Sequence, residues 1–223
     1  MYKQYYKDIC DKTGGEPSIY WDAIFSDNDN WQAITGDYDT KVKWIYCRFY
    51  KSIYVPVKGM IDCRNGEYSL DAKVPFEHIA LICCVLLLQG CDALGGFVIG
   101  KGYKAGKGND KQAFNQYCQQ YLLKDAKTKD INKCTLAGKL YTGFRNSLAH
   151  GLFVRDGTLA APNEDYLAWK EGNRIVISLE KLLEVFKTSK DRYFADLLEQ
   201  NSEKKTNFEK AFKTYMEHIE AKA

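Results

Sequence analysis

The chain has three histidines, His78, His150 and His218. An imidazole, with an unperturbed pKa of about 6.5, can take and give a proton near neutral pH. His78 falls in the first turn of an apolar stretch, where a core or capping role fits. His218 lies between Glu217 and Glu220, on what reads as a solvated face. His150 is different, because it closes the string Gly143-Phe144-Arg145-Asn146-Ser147-Leu148-Ala149-His150-Gly151. Asn146 and His150 are four residues apart and share one face of a helix, which Arg145 borders. Asn146 can hydrogen-bond the imidazole and fix its tautomer. Arg145 can grip a phosphate with two parallel hydrogen bonds and stabilise developing charge. Such a set suits proton transfer at a phosphodiester without a metal. Packed inside a bundle, the same three side chains would equally make a polar network that caps the helix.

A second feature is the loop GKGYKAGKG at 100–108. It is no P-loop, since Gly106-Lys107 is followed by Gly108 and position 101 is Lys. Its glycines would still let backbone N–H groups approach a phosphate, with Lys101, Lys104, Lys107 and the nearby Lys111 supplying charge. Tyr103 can stack on an exposed base. A solvated connection is the plainer reading. Carboxylates are scattered without metal-ligand spacing, and no Ser-His-Asp or Cys-His arrangement is recognisable locally. Neither a metal nor a cofactor is expected.

Arg145-Asn146-Ser147-Leu148-Ala149-His150 resembles the signature of the HEPN superfamily, the higher eukaryotes and prokaryotes nucleotide-binding domain. That signature is an Arg, a polar residue (often Asn), a few variable positions and a His near a helix end. The wider string LYTGFRNSLAHG, 140–151, is similar to many bacterial members. The resemblance implies a mainly α fold, an HEPN-like helical bundle with the helices of 76–150 at its centre. It implies a metal-independent endoribonuclease in which Arg145 and His150 carry the reaction and Asn146 supports His150. The 2′-hydroxyl would attack the adjacent phosphate, leaving a 2′,3′-cyclic phosphate and a 5′-hydroxyl. Family sites are often built from two motif copies, so a homodimer is implied, and a toxin or phage-defence role would bring an antitoxin partner. Some members are not catalytic, and the rival reading is a module that binds a nucleotide or a protein. The first forty residues and the 152–178 segment have no counterpart in the motif.

The elements that must position these residues follow from periodicity and caps. Residues 1–40 read as a short helix, about 2–10, and irregular structure. Val42, Ile45, Tyr46, Phe49 and Ile53 predict a helix over 41–60, closed by Pro56 and Gly59. Arg64-Asn65-Gly66-Glu67 reads as a turn. Pro75 suits the start of a buried helix that runs to about Leu94. Asn109 or Asp110 can cap a helix bearing Phe114, Tyr117, Cys118, Tyr121 and Leu122. Asp130 can cap the next, with Leu136, Leu140, Phe144 and Leu148 as its stripe and Gly151 just past its end. Tyr166–Lys170 and Arg174–Ser178 flank Glu171-Gly172-Asn173 as a β-hairpin, a small appendage near 166–178. Ser178 then caps a helix carrying Leu179, Leu182, Leu183, Phe186, Phe194 and Leu197. A last helix, within 200–223, carries Phe208, Phe212, Tyr215 and Ile219. The sum is one domain over 1–223, with a bundle core at 41–199.

Length and charge bound the rest. The chain has 223 residues, 45% hydrophobic and 27% charged, which excludes global disorder. A formal net charge of +3 excludes a polyelectrolyte coat, but residues 101–150 hold ten Lys or Arg against three Asp. A local basic region of that kind can guide RNA. The eight cysteines form no C-x-x-C pair, which argues against zinc ribbons and redox sites. The opening MYKQYYKDIC is unlike a secretion signal, so reduced thiols in a cytoplasm are expected. From Ile79 to Gly100 only Gln89 and Asp92 interrupt an apolar run. Asp92 would cost about 2.5–3.5 kcal/mol in a bilayer, and glycines break the run, so a buried core helix is expected rather than a span.

Overall fold

The structure, a computed structural model, describes residues 37–64, 76–101, 110–147, 157–160, 165–199 and 202–220. The chain divides into two compact units, 1–56 and 57–223. In the first unit, α1 (Tyr38–Phe49) buries Val42, Ile45 and Phe49, spaced three and four residues apart. Arg48 lies 4.9 Å from the centre of the Trp44 ring one turn earlier. A π-helical turn, Tyr50–Tyr54, follows, and then α2 (Val55–Arg64). The expected stop at Pro56 and Gly59 does not occur, because α2 runs through both. The wide turn explains the tolerance. The Val55 N–H reaches back five residues to the Tyr50 carbonyl, so the backbone has already opened where a proline ring would meet an α-helical carbonyl.

In the second unit, α3 (Phe76–Val98) packs against α4 (Asp110–Tyr117), α6 (Leu179–Leu198) and α7 (Ser202–Glu220). Its buried face is Cys83, Cys84, Leu87, Leu88, Cys91 and Leu94. The sequence stops this helix near Leu94, before two glycines, yet it continues to Val98. Gly95 is a contact rather than a break: a Cβ there would stand 2.6 Å from the Ala113 carbonyl carbon on α4. The stretch Ile79–Val98 is long and apolar enough to cross a bilayer by length and composition, and half of it is buried.

α4 widens into a π turn, Cys118–Leu122, and the expected Phe114, Tyr117, Cys118, Tyr121 and Leu122 are all buried. α5 (Lys133–Lys139) is capped by Asn132, whose Oδ1 accepts from the Thr135 N–H at 2.8 Å. Asp130, the cap expected from sequence, instead takes a left-handed turn position at φ +59°, which a short polar side chain tolerates.

The predicted hairpin is present as β3 (Ala168–Glu171) and β4 (Arg174–Ser178), with Trp169 opposite Val176 and Glu171 opposite Arg174. Gly172, at φ +57°, supplies the left-handed turn residue. Two strands that the sequence did not suggest extend it, β1 (Thr128–Lys129) and β2 (Gly157–Ala160). The sheet order is β1-β3-β4-β2, with both outer pairs parallel. Ser178 ends β4 and caps α6, its Oγ accepting from the Lys181 N–H at 3.3 Å. α6 buries the whole expected stripe and adds Tyr193. Each such fully buried Leu or Phe contributes about 1.5–3 kcal/mol. Tyr117 and Ser189 meet hydroxyl to hydroxyl at 2.8 Å inside this core. On α7, Phe208 stacks on Phe97 at 5.4 Å, and the Asn207 amide donates to the Val98 carbonyl at 3.0 Å, closing the end of α3. The described residues are thus mostly helical with one small sheet.

Candidate functional site

After α5 the helix widens into a π segment, Leu140–Asn146, whose last two residues are Arg145 and Asn146. Leu140 and Phe144 anchor it in the core. The Thr142 hydroxyl donates to the Gly138 carbonyl at 2.9 Å, and the Ser147 hydroxyl donates to the Thr142 carbonyl, five residues back, at 3.1 Å. A π insertion admits an extra residue into the turn and so changes which side chains face the same way. Here it turns Arg145 toward α3.

Arg145 is held from two sides. Its Nη2 donates to Asp92 Oδ2 on α3 at 2.5 Å, and its Nη1 donates to Asn146 Oδ1 at 2.8 Å. The guanidinium carbon lies 5.5 Å from the centre of the Tyr141 ring. The Arg145 and Asp92 side chains are 21% and 15% exposed, so a ligand can reach the pair while water only partly screens it. Arg145 Nε is buried and has no hydrogen-bond partner among the described residues. A guanidinium has five N–H donors, so three remain after these two bonds.

Charge at the site is balanced rather than simply positive. Burial pushes the Asp92 carboxyl above the usual carboxylate range; Arg145 pulls it back, and Asp110, the first residue of α4, pushes it up again. Burial likewise raises the Tyr141 hydroxyl, against the pull of Arg145. The arrangement can present a fixed, half-neutralised guanidinium edge to one phosphate. Among the described residues no group of three His, Cys, Asp or Glu could hold a metal ion.

The structure brings Arg145 and Asn146 into direct contact, the Asn146 Oδ1 accepting from Arg145 Nη1. His150, Tyr103, Lys104 and Lys107 lie outside the described residues, as does the side chain of His78 and that of His218. Lys101 is exposed beyond the end of α3. Lys111 is exposed on α4, beside an open groove of about 630 Å³ that Gln112, Asn115, Gln116, Gln119 and Gln120 also line. Sequence reasoning missed Asp92 and Tyr141 as members of the site. Asp92 did carry a signal, since a carboxylate inside an apolar helix needs a partner. Tyr141, four residues before Arg145, carried the ordinary helical-neighbour signal.

Compared with known proteins, the chain matches no family model, no curated protein and no solved structure.

Proposed function

We propose that the chain is an HEPN-like, metal-independent endoribonuclease. The observation that carries this reading is the Arg145 guanidinium, tethered by Asp92 and Asn146 and left with a second hydrogen on each Nη nitrogen. A cation fixed in that way is suited to grip a phosphodiester and to stabilise the charge that grows on it. Arg145 is the phosphate clamp, Asn146 its orienter, and His150 the general acid and base. His150 takes the proton of the 2′-hydroxyl, whose oxygen bonds to phosphorus as the bond to the 5′-oxygen breaks. The leaving 5′-oxygen receives the proton back from the His150 imidazolium, and the products are a 2′,3′-cyclic phosphate and a 5′-hydroxyl. The basic residues of 101–139 guide RNA, two copies of the chain form the working unit, and an antitoxin restrains it in the cytoplasm.

The Arg145–Asp92 pair also favours a second reading, because a half-buried ion pair is equally a structural tie between two helices. The chain would then be a non-catalytic module that binds a nucleotide or a protein.

The deciding experiment is RNA cleavage in EDTA by wild type and His150→Ala, with product ends mapped and folding checked by circular dichroism. Cleavage by wild type alone, leaving cyclic phosphate ends, supports the ribonuclease. A folded wild type that leaves RNA intact rejects it in favour of the binding module.

A further inference from the structure

Asp92 is the one acidic residue in α3 between Ile79 and Val98. It sits on a helix whose other half-exposed positions nearby, Val85, Leu86 and Ala93, are apolar. Nothing about α3 as a packing element calls for a carboxylate there. Burial disfavours its charged form, so an isolated ionised carboxyl would be expensive at this depth. Its hydrogen-bond partner among the described residues is Arg145, 53 residues away in sequence.

The bond is made to one nitrogen only. Asp92 Oδ2 accepts from Nη2, while the adjacent Nε keeps its hydrogen without a partner among the described residues. Asn146 holds the opposite nitrogen, Nη1. The guanidinium plane is therefore fixed by two bonds, with the Tyr141 ring centre 5.5 Å from its carbon. Nη1 and Nη2 each donate one hydrogen in these bonds and each keeps a second. Two such hydrogens on one planar guanidinium can receive oxygens of one phosphate.

We propose that Asp92 is the positioning residue of the site: it orients Arg145 so that the remaining Nη hydrogens meet the substrate phosphate during bond cleavage. The inference rests on the ribonuclease reading. Asp92 touches neither the phosphate nor the leaving oxygen, and it acts through Arg145. Two consequences separate this role from a merely structural one. Removing the Asp92 charge leaves Arg145 fully cationic, so attraction for the RNA backbone is kept or strengthened. The freed guanidinium no longer keeps the orientation that cleavage needs, so turnover falls.

The test is steady-state cleavage of a short RNA oligonucleotide in EDTA by wild type, Asp92→Asn and Asp92→Ala. Asn keeps an oxygen that can accept from Nη2 and guards against loss of folding. We expect kcat to fall about tenfold in Asp92→Asn and about 100-fold in Asp92→Ala, with KM unchanged or lower in both. Cleavage by Asp92→Asn with the kcat of wild type overturns the positioning role and leaves the ribonuclease reading standing. A rise in KM at unchanged kcat also overturns it, because Asp92 would then serve binding alone. A folded wild type without cleavage overturns both.

Discussion

Ala113 on α4 occupies with its backbone the space that a side chain at Gly95 on α3 would need. A Cβ at Gly95 would lie 2.6 Å from the Ala113 carbonyl carbon and 2.9 Å from the Phe114 nitrogen. The obstacle is main chain on both counts, so it cannot rotate aside. Gly95→Ala must push the two helices apart and should lower stability by about 1–3 kcal/mol, read as a lower urea midpoint at unchanged slope. A midpoint equal to wild type would show that α3 and α4 are not in this close contact.

The Tyr117–Ser189 hydroxyl pair gives a second prediction. Both side chains are buried, and Ser189 also donates to the Phe186 carbonyl at 2.9 Å. Ser189→Ala strands the Tyr117 hydroxyl in the core and should cost about 1–3 kcal/mol. Adding Tyr117→Phe removes the stranded group, so the double variant should lose less than the two single losses added together. Strict additivity in denaturant melts would mean that the two hydroxyls are uncoupled.

Acid stability should depend on Asp191. Burial alone would push its carboxyl up, but the Lys190 and Lys187 ammonium groups, at 2.6 and 3.0 Å, outweigh it and hold it below the usual range. A carboxyl depressed in the folded state adds stability above its unfolded pKa of about 4 and loses that stability as pH falls through the folded value. Asp92 has the opposite sign. Its raised folded value favours folding at low pH, and that contribution fades as pH rises through the folded value. Asp191→Asn should therefore flatten the loss of stability below about pH 4, and Asp92→Asn should steepen the fall in stability as pH drops toward about 4 from above, in thermal melts from pH 3 to 7. Superimposable profiles for wild type and Asp191→Asn would dismiss the Asp191 contribution.

Arg145→Lys probes the clamp from the other side. A lysine keeps the charge for Asp92, but it cannot reach Asn146 and Asp92 together while offering a planar edge to a phosphate. We expect the circular dichroism spectrum of wild type and a loss of cleavage of about 100- to 1,000-fold in kcat/KM. Full activity in Arg145→Lys would reduce the residue to a point charge.

Much of the helical frame is legible in the sequence, because it rests on local signals. The stripes Phe114–Leu122 and Leu179–Leu197 repeat at helical spacing, and each is buried as read. Ser178 reads as a cap and accepts from Lys181, and Gly172 reads as a hairpin turn and has the required positive φ. What the sequence does not carry is pairing at a distance. β1 is two residues long and β2 pairs in parallel with β4, so neither shows a pattern of its own. Gly95 looks like a helix breaker until Ala113 is seen against it. Within the site, Arg145 and Asn146 are legible because their residue types and adjacency suggest chemistry. Asp92 reads locally only as a blemish in an apolar run, since its partner lies 53 residues on.

The π segment Leu140–Asn146 has a consequence best stated in terms of heredity. Gly143 sits buried in its middle. Loss of that one codon keeps the reading frame, and a continuous α-helix can still be written through the site. Yet each residue in an α-helix advances by about 100°, so a one-residue deletion swings Arg145 and Asn146 by about that angle relative to Leu140 and away from Asp92. For this stretch of the gene, the tally of residues is itself inherited information, and a change of length can silence a site that every substitution has spared.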